Sequence, residues 1–457
     1  MSAAAGPPAT PSPGLGRLVR LALPTLVILA AEPLYVLVDS AVVGHLGRDA
    51  LAALALGGSV LTVAAWFGTI LAYGTTSRSA RRFGAGDRAG AVAEGVQATW
   101  LALGLGVALA VGAIWAAGPL AAALGGGDPA VVEGAADWLR IAAWGAPGIL
   151  LTMAGNGWLR GVQDTRRPLR YALGANALSA AACPLLVYPA GLGLVGSAWA
   201  NVGAQSLGGL LFLRALLAER VPLRPRPGLL AGQLRLGRDL LVRGAAMQGS
   251  FLCATAVVAR FGSAPLAAHQ IAIQLWMFCA FVLDAVAIAA QALVGEAVGA
   301  GRPGDARGLA RRSALLGLGT GTAAAVVLAA VATVLPRVFT PDPAVWAAAR
   351  EAWPWFVGMQ PLAGVVFALD GVLIGAGDAG YLRTVTVVSG VGVFVPASLA
   401  AAYADLGLGG VWAGLTLFVV ARLALLLLRV RRPDWPPPPE PPDRPARRRG
   451  GSGRLSR

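Results

Sequence analysis

Residues 156–164 read NGWLRGVQD, and residues 370–378 read DGVLIGAGD. The two stretches share Gly, Leu, Gly and Asp at the same four positions. Two shorter stretches recur at nearly the same offset: Leu-Ala-Ala at 51–53 and 266–268, and Gly-Ala-Gly at 84–86 and 299–301. Because the three matches keep their order and spacing, the sequence predicts a chain built from two duplicated halves. Duplicated halves are typical of membrane transporters.

The composition excludes a soluble protein. Of the 457 residues, 56% are hydrophobic and 13% are charged, whereas soluble domains carry about 25% charged residues. A helix needs roughly 20 apolar residues to cross a bilayer, and the apolar runs predict twelve such helices, six in each half. The fold class is therefore an all-α integral membrane protein, with two parallel-repeat six-helix lobes around a central cavity.

Arginines between the apolar runs predict the orientation. They cluster in alternate loops: Arg78, Arg81, Arg82 and Arg88; Arg160, Arg166, Arg167 and Arg170; Arg220, Arg224, Arg226 and Arg235; Arg302, Arg307, Arg311 and Arg312. The intervening loops at 118–131 and 188–194 contain no arginine. Basic loops stay in the cytoplasm, so we expect a multi-pass protein of the bacterial inner membrane with both termini cytoplasmic. The net charge of +15 is then explained by these cytoplasmic arginines. We expect the protein to interact with a lipid bilayer and not with nucleic acid.

These boundaries predict five regions. They are a disordered N-terminus at 1–14, an N-lobe at 15–217, a cytoplasmic linker at 218–236, a C-lobe at 237–430 and a disordered Pro/Arg-rich cytoplasmic tail at 431–457. The tail has almost no apolar content, so it is not expected to fold on its own.

The first helix contains acidic residues that are costly to place inside a membrane. Residues 30–47 read AAEPLYVLVDSAVVGHLG, and a charge at mid-membrane costs about 2.5–3.5 kcal/mol. Glu32 and Asp39 are seven residues apart and share one helix face with Tyr35. Pro33 removes a backbone donor and is a candidate hinge. This face is expected to border a wet cavity, where Asp39 and Glu32 exchange a proton or an ion.

The second half has its own polar residues inside apolar runs. Asp284 and Asp370 are candidate cavity residues, and Gln270 and Gln274 share a helix face. Arg422 either pairs with one of these acids or extends to the interface. The sequence leaves both possibilities open. Asn156, which begins the repeated stretch, is a further candidate cavity residue.

No motif indicates an enzyme or a cofactor. The sequence has no phosphate-binding G-x-x-x-x-G-K-[ST] loop, no H-E-x-x-H and no G-x-S-x-G. We therefore expect no cofactor and no metal site, and an ion gradient as the source of energy.

Several stretches together resemble a known family. EPLYVLVDSAVVGHLG, TTSRSARRFGAGD, LRGVQDTRRP, LAAHQIAIQ and LDGVLIGAGD are similar to motifs of the multidrug and toxic compound extrusion (MATE) family, in its DinF-like branch. The resemblance implies two lobes around a cavity that opens alternately to each side. It also implies export of cationic or amphipathic compounds in exchange for protons or sodium ions, by a protein that we expect to be a monomer. Asp39 matches the ion-coupling acid of the first lobe, and Asp284 and Asp370 match acids of the second.

The sequence departs from the family pattern at two places. Many members carry N-x-x-L-D-P in the fifth helix, but here the matching stretch runs from Ser179 to Cys183 and Pro184 without the acid. Asn176 is expected to supply polarity there, and Glu32 is a candidate replacement. The seventh helix has Met247 and Gln248 where some sodium-coupled members have Glu. A sodium site needs several hard oxygen ligands, so the sequence favours protons over sodium.

Three alternatives to a proton-coupled antiporter follow from the same pattern. A sodium-coupled antiporter has the same fold. A flippase for lipid-linked precursors would need a basic cavity, whereas the intramembrane charges here are mostly acidic. A membrane-embedded enzyme such as a polyprenyl transferase would need clustered acids to hold magnesium. The acids here are instead scattered over three helices in both halves.

Overall fold

A computed structural model describes residues 14–124 and 128–438, except for the side chains of Glu32 and Pro33. Every regular element in these residues is a helix. The helices of the first half are α1 (Leu15–Gly44), α2 (Arg48–Gly84), α3 (Arg88–Leu124), α4 (Pro129–Ala142), α5 (Ala146–Gly161), α6 (Arg166–Val187) and α7 (Gly193–Ala218). The helices of the second half are α8 (Pro227–Ala259), α9 (Ser263–Gly299), α10 (Pro303–Ala330), α11 (Leu335–Phe339), α12 (Pro343–Ala376), α13 (Ala379–Ser389), α14 (Val395–Tyr403) and α15 (Gly407–Val430).

Apart from the five-residue α11, these helices form twelve rods, six in each half. A single 3₁₀ turn, Ala143–Gly145, joins α4 to α5, and a π turn, Gly390–Phe394, joins α13 to α14. Ten rods are long and apolar enough to cross a membrane. The other two are the interrupted α4–α5 rod and α6, whose first turn contains Arg166 and Arg167.

The duplication is visible in how matching helices begin. Asp128 caps α4 and Asp342 caps α12, and each carboxylate accepts a hydrogen bond from a backbone N–H two residues later. A proline follows each aspartate at the first helical position. The aspartate carboxylate satisfies a free N–H group at the helix start, and the proline has no N–H group that would need a partner. The same local chemistry therefore starts the same helix in both lobes.

The arginine-rich ends of the helices hold the two lobes together. There, residues 74–80 of α2 and 285–295 of α9 are buried without interruption. Gly84 and Gly299 have no room for a side chain, because each lies against the backbone of the opposite helix. By contrast, the first half of α2 alternates between buried and exposed residues. The lobes are thus closed at the arginine-rich end, which is expected for one of the two states of a transporter with alternating access.

A side-chain bridge reinforces this closure. Gln163 follows α5, and its side-chain amide donates to the Glu296 carboxylate of α9 at 2.5 Å. Arg17 of α1 donates to the side-chain oxygen of Gln163, Oε1, at 2.5 Å. Arg17 also pairs with Glu296 at 3.0 Å. Gln163 has a φ of 63°, which is unfavourable for residues other than glycine, and the matching position in the second lobe is Gly377 with a φ of 87°. Gln163 therefore adopts a strained backbone conformation at the position where its side chain connects the two lobes.

The connections at the predicted domain borders are shorter than expected. The predicted linker, 218–236, includes the first turns of α8, and Gln233 on these turns donates to the Glu94 carboxylate of α3 at 3.1 Å. The start of the predicted tail packs on the C-lobe instead of extending into solvent, because Trp435 is fully buried. The remainder of the tail, from 439, and residues 1–13 lie outside the described residues. The division into domains stays a prediction.

We expect Gln163→Gly to weaken the closure although it relieves backbone strain. Removing the side chain removes both hydrogen bonds of the bridge, while glycine adopts a positive φ without cost. Spin labels at the exposed positions 89 and 304, in a Cys253→Ala background, should report longer distances between the arginine-rich ends of the two lobes.

Asp405→Gly is the matched control, because Asp405 has a φ of 50° and an exposed side chain. It should leave the distances unchanged and leave the melting temperature the same or slightly higher. If Gln163→Gly behaves in the same way, the bridge does not stabilise the closed end.

Candidate functional site

The N-lobe encloses a cavity of about 530 Å³, a size typical of small-molecule sites. It is lined by α1, α2, α4, α5, α6 and α7, and much of its wall comes from the half of α1 and α2 that is distant from the arginine-rich end. Apolar side chains dominate the wall, including Ile28, Val36, Leu51 and Ile149. The cavity therefore suits a compound with a large apolar surface.

Asp39 is the single acidic side chain among the described residues that line this cavity. It is 6% exposed. Its carboxylate accepts a hydrogen bond from the Cys183 thiol, with a distance of 3.0 Å between Oδ1 and Sγ. No basic residue is among the described lining residues. A thiol is a weak donor, so Asp39 is a buried carboxyl without a counter-charge among the described residues. Such a group favours its neutral form unless water or a cation reaches it.

Other polar groups line the same cavity as Asp39. Tyr35 is half-buried, and its hydroxyl oxygen accepts a hydrogen bond from the Asn201 amide at 2.8 Å. The side-chain oxygens of Thr152, Asn156 and Asn201 are buried without a hydrogen-bond partner. Unpaired buried oxygens are costly, and they lie where a substrate, a water molecule or an ion would satisfy them.

The structure brings most of the predicted N-lobe residues together. Asp39, Tyr35, Asn156 and Asn176 all line the cavity. The backbone of α1 runs through Glu32 and Pro33, but their side chains lie outside the described residues. Their predicted roles in coupling and as a hinge, and the roles of the lining residues, stay predictions.

Sequence reasoning missed Cys183. The sequence identified Cys183 only as part of a stretch that lacks the second acid of the family pattern, and Cys183 is 1% exposed. Its thiol nevertheless contacts the carboxylate that the first helix presents. The signal was its position in the family pattern, where it stands in place of the second acid.

The C-lobe holds its acids in a different way. Asp370 of α12 pairs with Arg422 of α15 at 2.6 Å and with Arg243 of α8 at 2.8 Å. Arg422 is 2% exposed, so it pairs with Asp370 and does not extend to the interface. The two arginines and the carboxylate connect three helices, and removing one partner would leave an uncompensated buried charge.

Asp284 forms a contact between the two lobes. The Tyr73 hydroxyl of α2 donates to the Asp284 carboxylate of α9 at 2.5 Å. The Gln291 side chain strengthens the contact by donating to the Tyr73 carbonyl oxygen at 2.6 Å. Arg160 of α5, expected in a loop, is instead buried in the helix and is close enough to Asp284 for an electrostatic interaction. No feature of the sequence indicates that these groups meet.

Gln270 and Gln274 do not join either group. Both are exposed on the first half of α9, and Gln274 is ten residues before Asp284, which is about 15 Å along a helix. The predicted second-lobe set is therefore divided into a charged cluster near the closed end and two exposed amides further from it.

Comparison with known proteins identifies the family. The family model described as MatE matches the chain twice, over residues 24–185 and 240–400. The chain belongs to the MATE family. Each lobe matches the same model, as the internal repeat predicts.

Relatives and solved structures agree with this assignment. Protein DETOXIFICATION 44, chloroplastic, of Arabidopsis thaliana is 32% identical, over 90% of this chain and 82% of its own length. DNA damage-inducible protein F of Escherichia coli K12 is 31% identical, over 91% of each chain. A crystal structure of MATE in the bent conformation matches with a TM-score of 0.82 at 24% identity, covering 90% of this chain and 93% of the other. A multidrug resistance MATE family transporter in an outward-facing conformation has a TM-score of 0.81 at 24% identity, covering 91% and 94%.

Family membership confirms the predicted fold class of twelve helices in two repeats around a central cavity. It also makes the protein a multi-pass membrane transporter of the multidrug efflux type and not an enzyme. Family membership does not determine the coupling ion, the substrate class, the oligomeric state or the orientation.

We expect Tyr73→Phe to destabilise the closed state. The substitution keeps the ring and removes the donor to a carboxylate, and a hydrogen bond to a charged group contributes about 1.5–3 kcal/mol. The melting temperature of the purified protein should fall by several degrees, and the distance between labels at 89 and 304 should increase.

Tyr403→Phe is the control, because Tyr403 is 96% exposed. It should change neither measurement. Equal melting temperatures for the Tyr73→Phe variant and the unmodified protein would show that this contact does not stabilise the closed end.

Proposed function

We propose that this transporter exports cationic or amphipathic small molecules in exchange for protons, with Asp39 as the proton-carrying group. The observation that supports the proposal is a buried carboxyl in a largely apolar cavity, bonded only to a thiol among the described residues. A carboxyl group with a strong counter-charge stays ionised. Asp39 has none within the described residues, so its charge depends on what enters the cavity.

The proposed cycle follows from that dependence. When Asp39 is ionised, it attracts an organic cation whose apolar part contacts the cavity wall. When a proton neutralises Asp39, the cation loses its electrostatic partner and leaves. Proton and substrate compete for one carboxylate, and this competition couples their opposite movements without any direct contact between them.

The orientation is part of the proposal. If the arginine-rich end faces the cytoplasm of a bacterial plasma membrane, the closed end blocks the cytoplasmic side and the cavity opens outward. Both termini are then cytoplasmic. In this arrangement protons enter from outside and release the substrate to the same side. We further infer that the protein works as a monomer, because each lobe supplies its own polar groups.

Sodium is the second candidate for the coupling ion. It is supported by the unpaired side-chain oxygens of Thr152, Asn156 and Asn201, which are hard ligands of the kind sodium prefers. The single carboxylate is the argument against it, since Cys183 replaces the second acid of the family pattern. A lipid-linked precursor flippase is less well supported, because the described residues of the N-lobe cavity include no basic side chain.

Asp39→Asn should abolish proton-driven efflux. Asparagine has nearly the same shape but carries no exchangeable charge. The measurement uses inside-out vesicles on which either a proton gradient or a sodium gradient is imposed. Vesicles with the unmodified protein should accumulate a fluorescent organic cation under the proton gradient only. Asp39→Asn should reduce this uptake to the level of empty vesicles.

Asp49→Asn is the control, because Asp49 is an exposed acid on α2 that pairs only with its neighbour Arg48. It should transport normally. Normal uptake by the Asp39→Asn variant would contradict the proposed role of Asp39, and uptake under the sodium gradient alone would favour the sodium-coupled alternative.

Cys183→Asp should create a response to sodium. It places a second carboxylate beside Asp39, which lines the same cavity as the unpaired oxygens, and two acids with several neutral oxygens form a hard ligand set. Replacing potassium chloride with sodium chloride should raise the melting temperature of this variant by a few degrees, because an ion that binds only the folded state stabilises it.

Cys183→Asn has the same size without the charge and should show no difference between the two salts. The unmodified protein should also show none. A sodium-dependent shift in the unmodified protein would mean that one carboxylate is enough, and proton coupling would lose its main support.

A further inference from the structure

A second cavity lies on the outer surface of the C-lobe, at the arginine-rich end. Its volume is about 660 Å³, and it lies between α10, α12 and α15. Four arginines form its rim: Arg307, Arg311, Arg431 and Arg432. Its walls are apolar and include Leu315, Leu318, Leu369 and Leu427. We call this cavity the basic cleft, and it shares no lining residue with the cavity around Asp39.

Within the described residues, no acid neutralises the charges of the basic cleft. All four arginines are exposed, and none pairs with an acid among the described residues. The nearby Asp434 is bound by Arg429 at 3.2 Å. Arg307 holds one wall in place by donating to the carbonyl oxygen of Pro433 at 2.7 Å. The cleft therefore offers fixed positive charge to an anion from outside the chain.

The arginines and the apolar residues of the basic cleft lie at different levels along the helices. On α10, Arg307, Arg311, Ala314 and Leu318 follow one another along a single helix face. Leu318 is seven residues beyond Arg311, which corresponds to about 10 Å along the helix axis. A ligand that fits this arrangement has an anionic group at the level of the arginines and an apolar chain that runs into the membrane.

The matching surface of the N-lobe is closed. At the repeat offset of 215, Arg307 and Arg311 correspond to Val92 and Val96, which are each 1% exposed. The connection between the lobes covers this region, since Trp100 donates to the Leu223 carbonyl oxygen at 2.8 Å. The basic cleft is therefore a feature of one lobe and does not follow from the duplicated fold.

We propose that the basic cleft binds one anionic phospholipid, with its phosphate between the four arginines and an acyl chain against Leu315, Leu318 and Leu427. Basic pockets between membrane helices recognise lipid headgroups in this way. The rest of the tail, 439–457, does not suit the cleft, because it contains six arginines and two acids and is repelled by the rim.

The test is a titration of the full-length protein, delipidated in nonionic detergent, with fluorescent phosphatidylglycerol. The unmodified protein should bind it saturably, and phosphatidylcholine and inorganic phosphate should not compete at the same concentrations. Arg307→Gln with Arg311→Gln should weaken binding by roughly 30-fold, because each arginine near a lipid surface contributes about 1 kcal/mol.

The matched control removes the same charge elsewhere at the same end. Arg166 and Arg170 are exposed, are four residues apart on α6 and do not line the basic cleft. Arg166→Gln with Arg170→Gln should bind phosphatidylglycerol like the unmodified protein. Equal losses in the two double variants would overturn the proposal, because attraction would then reflect total surface charge.

Leu318→Trp tests the apolar half of the basic cleft. Leu318 is 41% exposed, so tryptophan can be accommodated at this position while it fills the space assigned to the acyl chain. All four arginines remain. The variant should keep its melting temperature and lose most of its phosphatidylglycerol binding. Unchanged binding in this variant, or competition by inorganic phosphate alone, would show that no lipid chain occupies the cleft.

Discussion

A carboxyl group buried in a membrane protein must find a partner or lose its charge, and this requirement explains how the molecule is arranged. Among the described residues, Asp39, Glu94 and Asp370 are the buried acids. Glu94 binds Arg78 and Arg82, each at 2.9 Å, and Asp370 binds Arg243 and Arg422. Among the described residues, the hydrogen-bond partner of Asp39 is the thiol of Cys183. Two acids are therefore fixed in ionic clusters, whereas Asp39 has no basic partner in the part of the chain that the structure describes.

The paired acids and Asp39 lie in regions with different packing. Glu94, Asp284 and Glu296 contact groups of other helices or of the opposite lobe near the arginine-rich end, where α2 and α9 are continuously buried. Asp39 instead borders a cavity with few polar contacts. Alternating access requires that one end separates while the other closes. Contacts across the lobe boundary that depend on single hydrogen bonds, such as that of Tyr73 with Asp284, can be exchanged at modest cost.

The duplication of the chain explains the scaffold but not the chemistry. Asp128 and Asp342 begin matching helices in the same manner. At other matching positions the lobes differ: Gln163 bridges the lobes where the second half has Gly377, and the arginines of the basic cleft replace two buried valines. The lobes therefore share a scaffold but differ in chemistry: the cavity around Asp39 lies in the N-lobe, and the basic cleft lies in the C-lobe.

The sequence by itself determined the twelve helices, the two repeats and the polar face of α1, because apolar length and helical period depend on neighbouring residues in the chain. It also located Asp39, Asn156 and Asn176, which line one cavity. It could not determine which acids are neutralised. Arg422 had two possible positions, Cys183 resembled any buried cysteine, and Tyr73 and Asp284 are 211 residues apart. Only the tertiary structure decides these pairs, because an ion pair or hydrogen bond depends on distances of a few ångströms between helices that sequence spacing does not specify.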